Sequence, residues 1–156
     1  MVETGKELKL FNVLSKRTKI LQTELSFQME EIKAICNSNS FHIKSITTVT
    51  FKIEETVKGQ LFDIEFLIEV QNKSKELHIP DGFILKEKIY LTNALKLHYV
   101  GPSSDSNKAF TEINNYLLNN KLVPITPAYS VNKTPFTQSE ALISFDIFVG
   151  LNPNIL

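Results

Sequence analysis

The chain has 156 residues, 42% hydrophobic and 22% charged, the usage of an ordinary globular protein and not of a disordered or fibrous one. A length of this order buries most of the apolar surface of the unfolded chain, so a single domain over 1–156 is expected. Lys plus Arg and Asp plus Glu number 17 each, which leaves no net field to attract nucleic acid or an acidic membrane surface and little repulsion against a homodimer.

Cys36 is the only cysteine, so neither an internal disulfide nor a thiolate zinc cluster is expected. It sits beside Ile32 and Ile35 in a helical pattern and reads as a small buried apolar residue. Met1–Lys9 mixes Glu3, Lys6, Glu7 and Lys9 without an apolar core, unlike a secretory signal. No apolar run approaches the roughly 20 residues that span a bilayer. A cytoplasmic location without membrane contact is therefore expected.

Along the chain, Leu8–Ile20 alternates as a strand. From Thr23, a candidate cap, Leu25, Met29, Ile32, Ile35 and Cys36 recur at helical spacing, and Asn37-Ser38-Asn39-Ser40 ends the helix. Ile43–Ile53 is a strand rich in β-branched residues, and Lys58-Gly59 supplies a turn. In Leu61–Val70, Phe62, Ile64, Phe66, Ile68 and Val70 share one face, opposite Asp63, Glu65, Leu67 and Glu69. Pro80-Asp81-Gly82 is a turn, and Ile89–Val100 is a strand ended by Gly101-Pro102. Ser104 and Asp105 open a second helix through Ala109, Phe110, Ile113, Tyr116 and Leu117, closed by Asn119-Asn120. Ala128–Val131 is a short strand, Pro135 marks a loop, and Ala141–Val149 is the last strand.

The order strand, helix, strand, strand thus occurs twice. A shift of 81 residues lays Leu10 on Leu91, Asn12 on Asn93, Ile32 on Ile113 and Asn39 on Asn120, and a shift of 83 lays Phe62-Asp63-Ile64 on Phe145-Asp146-Ile147. These matches predict an internal duplication, about 8–72 and 89–151. The expected fold class is α+β: two tandem halves forming an antiparallel sheet with both helices on one face and a groove on the other. On the uncovered face fall Asp63, Glu65, Leu67 and Glu69, with Leu142, Ser144, Asp146 and Phe148.

Several stretches carry a family likeness. Leu97-His98-Tyr99-Val100-Gly101-Pro102 enters a helix, Leu117–Leu122 ends it with Asn-Asn-Lys-Leu, and Pro127-Ala128-Tyr129-Ser130-Val131 and Ser144-Phe145-Asp146-Ile147 follow. In these landmarks the chain resembles the gyrase-inhibitor-like, or AraC effector-binding, family, related in fold to the SOUL proteins. The resemblance implies two fused modules with a groove for small, often aromatic or cationic molecules. It puts Asp146 where the family often has a Glu. Leu10-Phe11-Asn12-Val13-Leu14-Ser15-Lys16-Arg17 is similar to small Gram-positive proteins found beside LXG toxin genes of type VII secretion, which implies an accessory or chaperone-like role as the alternative.

No phosphate loop, nucleophile elbow or HExxH is present, and His42, His78 and His98 lack metal-ligand spacing. A non-catalytic module that needs no cofactor or metal is therefore expected, its groove binding a small molecule or a peptide, with a small hydrolase as the minor class. The groove candidates are Asp63, Glu65, Tyr129, Asp146 and Phe148. His98 reads as a surface or loop histidine.

Overall fold

In the computed structural model the described residues are 1–72, 78–133 and 142–152. They form β1 (Glu3–Leu21), a 3-10 turn (Gln22–Glu24), α1 (Leu25–Ser38), β2 (Phe41–Thr56), β3 (Gly59–Asn72), β4 (Ile84–Pro102), a second 3-10 turn (Ser103–Asp105), α2 (Asn107–Asn119), β5 (Pro124–Asn132) and β6 (Leu142–Leu151). Two helices and six strands follow one another in the expected order. The strands outrun the apolar alternation: β1 begins at Glu3 and not Leu8, β4 at Ile84 and not Ile89, because a ladder can continue through exposed polar residues. Pro135 and Ala141 lie outside the described residues. The chain divides into two compact units, Leu10–Ile89 and Met1–Lys9 with Tyr90–Leu156.

In the unit Leu10–Ile89, β3 pairs antiparallel with β1 on one side and β2 on the other. The 3.6-residue spacing of Leu25, Met29, Ile32 and Cys36 directs one stripe of α1 onto the sheet, where Ile32 and Cys36 are buried against Leu14, Ile46, Ile64, Phe66, Ile68 and Val70. Thr23 does not cap the helix. A 3-10 turn precedes it, and the Glu24 carboxylate accepts from the Leu21 amide at 3.0 Å. At the other end Asn39 Nδ2 donates to the Ile35 carbonyl at 2.8 Å, and Ser40 takes the left-handed conformation at φ 63°.

In the other unit, β6 pairs antiparallel with β4 and β5. Ala109, Ile113 and Leu117 of α2 pack on Leu95, Leu97, Phe145, Ile147 and Val149. The Phe145 ring lies between Tyr99, centroids 5.1 Å apart, and Phe110, 5.9 Å apart. The Tyr99 hydroxyl curls over the end of β4 to donate to the Pro102 carbonyl at 2.6 Å, and a Cβ on Gly101 would stand 2.7 Å from that hydroxyl oxygen. Helix α2 closes as α1 does: Asn120 Nδ2 donates to the Tyr116 carbonyl at 2.9 Å, and Lys121 has φ 54°.

The sheet face away from each helix differs from the open face expected. In the first unit Val13, Ser15, Thr47, Val49 and Leu67 are buried there; in the second, Ala94, Val131, Asp146 and Phe148. The reason is composition: mid-strand positions on these faces carry aliphatic and aromatic side chains whose exposure would cost the transfer free energy that drives folding. Each face keeps its charged groups among or beside those apolar ones.

The two Phe-Asp-Ile strands meet different cross-strand neighbours. Arg17 stands opposite Glu65, whose other neighbour is Val49. His98 stands opposite Asp146, whose other neighbour is Val131. Arg17 and His98, like Glu65 and Asp146, stand 81 residues apart in the sequence, the same shift that lays one helix pattern on the other. Asp63 lies one pleat further along, opposite Lys19 and Lys52.

Candidate functional site

Three of the five groove candidates come together in the unit that holds α2. Tyr129 on β5, Phe148 on β6 and Lys96 on β4 form one cross-strand row, and Val131, Asp146 and His98 form the next. Alternation along β4 produces this arrangement: Leu95, Leu97 and Tyr99 turn to α2, which sends Lys96 and His98 to the Asp146 face. The Asp146 side chain is only 9% exposed, and His98 Nδ1 lies 2.5 Å from its Oδ1 while Lys96 Nζ lies 3.8 Å from its Oδ2. The Lys96 ammonium also sits 5.7 Å from the Phe148 ring centroid, within cation–π range. A carboxylate, a ring and a cation thus share one partly buried corner.

The other two candidates belong to the first unit and are bound differently. Glu65, its side chain 12% exposed, accepts from Ser15 Oγ at 2.5 Å and from Lys86 Nζ at 2.7 Å. Asp63 is clamped by Arg17, Nε to Oδ1 at 3.1 Å and Nη2 to Oδ2 at 3.0 Å. The guanidinium holds the Asp63 carboxyl below the usual carboxylate range, and the carboxylate in turn raises the Arg17 pKa. Asp63, Lys19, Lys52, Glu54 and Leu61 line a depression of about 10 Å³, room for one water. Further along β3, Glu69 accepts from the Phe11 amide at 2.9 Å and from Ser45 Oγ at 3.0 Å. Between them Thr47 is fully buried, its Oγ1 without a hydrogen-bond partner among the described residues.

Lys96, Lys86 and Ser15 escaped the reading of the sequence as site residues, and His98, read as a surface or loop histidine, is a half-exposed strand residue paired with Asp146. The signal for Lys96 and His98 was present in β4, where they alternate with inward Leu95, Leu97 and Tyr99; that for Lys86 lay in a stretch too polar to read as strand. Among the described residues no group of three or more His, Cys, Asp and Glu is placed to hold a metal ion, and no helix is long and apolar enough to cross a membrane.

No family model matches the sequence, and no curated protein matches it. Solved structures do. The EcmrR C-terminal domain aligns with a TM-score of 0.74 at 15% identity over 97% of each chain. EcmrR in its DNA complex aligns with a TM-score of 0.75 at 15% identity over 97% of this chain, which spans 57% of the EcmrR chain. A hydrolase from Listeria innocua aligns with a TM-score of 0.60 at 10% identity, covering 95% of this chain and 92% of that one. SAV2435 bound to tetraphenylphosphonium aligns with a TM-score of 0.50 at 10% identity, covering 98% and 93%. The chain thus shares its fold with the EcmrR C-terminal domain and with these other structures. At these identities the likeness is one of fold.

Proposed function

We propose that this chain is a binding module for a small organic cation, with Asp146, Phe148 and Tyr129 as its principal contacts. The observation that carries this reading is the corner itself: a nearly buried carboxylate beside an aromatic ring that already has an ammonium over it. Carboxylate plus ring face is the chemistry that recognises a delocalised or quaternary cation, because the ring quadrupole attracts charge without demanding hydrogen bonds from it. SAV2435, of the same fold, is bound to tetraphenylphosphonium, which supports the choice of ligand class.

The test is thermal shift and calorimetric titration with tetraphenylphosphonium and benzyltrimethylammonium. A ligand that binds only the folded chain raises the melting temperature, and Asp146→Asn should abolish the shift while the variant still melts cooperatively. Absence of binding by either cation, or equal binding by D146N, would remove the reading.

The His98–Asp146 pair favours a second reading, a hydrolase, the class of the Listeria neighbour. With Nδ1 engaged by Asp146, Nε2 is the ring nitrogen that can take a proton from an attacking water, and the imidazole is 53% exposed. Turnover of p-nitrophenyl acetate that is lost in His98→Gln would support it; equal rates for the two proteins would dispose of it.

A further inference from the structure

We infer that Lys96 is a built-in pseudo-ligand: its ammonium occupies the place that the incoming cation takes, and so sets which cations can enter. The inference rests on the cation-binding reading above. Lys96 makes both contacts that the ligand would make, Nζ 3.8 Å from Asp146 Oδ2 and 5.7 Å from the Phe148 centroid. The other carboxylate oxygen is taken by His98 at 2.5 Å, so the exchangeable position at this carboxylate is the one Lys96 fills. The longer of the two contacts is the Lys96 one, and the Lys96 side chain keeps 31% exposure. A flexible four-carbon stem can carry its head out to water at low cost, as lysines at interfaces do.

Two consequences follow for selection. The apparent affinity of any cation is reduced by the fraction of molecules in which Lys96 has vacated the site. A primary alkylamine offers the corner nothing that the tethered ammonium does not, and being untethered it loses the competition. A cation with aromatic or other apolar bulk adds apolar contact that a bare ammonium cannot make, and displaces it. The predicted ligand class is therefore a bulky aromatic or quaternary cation, with simple alkylammonium ions excluded by Lys96 itself.

The experiment uses the full chain as wild type and as Lys96→Ala, titrated with benzyltrimethylammonium and with n-butylammonium, a free copy of the removed side chain. Lys96→Ala should bind benzyltrimethylammonium about tenfold more tightly, the size of one desolvated cation–ring contact, and should gain n-butylammonium binding that the wild type lacks. Lys96→Gln, which keeps length and loses charge, should show the same tightening and serves if the alanine variant does not fold. Lys9→Ala removes an ammonium 4.8 Å from the Tyr90 ring and should leave both affinities unchanged. If wild type and both Lys96 variants bind benzyltrimethylammonium equally, or the variants bind it more weakly, the pseudo-ligand is overturned and the cation-binding reading stands. If none of them binds it, both fall.

Discussion

Arg17 grips Asp63 with two near-parallel hydrogen bonds while its guanidinium carbon lies 3.9 Å from the Phe51 ring centroid. Fork geometry and ring stacking together suit arginine and not lysine. Because the folded-state pKa of Asp63 is lowered, the pair contributes stability that is present above the ordinary carboxylate pKa and is lost as pH falls through the lowered value. Wild type should therefore lose melting temperature more steeply than Asp63→Asn below about pH 4. The difference should shrink in 1 M salt, since Arg17 is largely exposed. Parallel acid melting curves for the two proteins would expose a missing effect.

Burial pushes the Cys36 thiol up to about 11, and the side chain is fully buried. A thiol-specific reagent at pH 8 should leave the native chain unlabelled and modify one site after denaturation, because the thiolate is the reactive form. The folded pKa is raised, so stability from the neutral thiol is present below the unfolded value and is lost as pH rises towards 11. Rapid native labelling would contradict the buried position.

Thr47 should be better replaced by valine. Among the described residues the buried hydroxyl has no hydrogen-bond partner, and desolvating it without one costs about 1–3 kcal/mol. Thr47→Val keeps the β-branched shape and removes that cost, so denaturant titration should show a gain of about 1 kcal/mol. Loss of stability would mean that the hydroxyl has a partner.

Both helices end on a non-glycine residue in left-handed conformation, Ser40 and Lys121. An L-residue there costs about 1–2 kcal/mol, which glycine avoids at a smaller entropic cost. Ser40→Gly and Lys121→Gly should each stabilise by roughly 0.5–1 kcal/mol, additively, given their separation. Urea midpoints of the singles and the double variant would reveal any departure.

The strand and helix faces were legible because apolar residues recur at the two periods that backbone geometry allows: Phe62, Ile64, Phe66, Ile68 and Val70 do turn to one helix, and Ala109, Ile113 and Leu117 do pack as a stripe. The C-terminal ends of both helices were legible too, because short amides reach back to carbonyls of the last turn. What misled was identity in place of position. The repeated Phe-Asp-Ile matches Asp63 to Asp146 by letter, yet Asp63 stands opposite Lys19 and Asp146 opposite His98. The polar face misled as well: Val13, Val49 and Leu67 are scattered through three separate strands, and only pairing assembles them into a buried surface. The contacts of Lys96 and His98 were hidden for the same reason, since what they touch depends on β6, some 50 residues away.

The Tyr99 hydroxyl and the bare Cα of Gly101 occupy adjoining space, one oxygen filling the volume that any side chain at 101 would need. Neither position is free to drift alone. Adding a methyl at 101 first evicts the hydroxyl from the Pro102 carbonyl, and the eviction is milder where 99 is already phenylalanine. Among descendants of this sequence the two sites should therefore change in a fixed order, tyrosine before glycine, leaving a coupled pair of substitutions as the trace of one atomic collision.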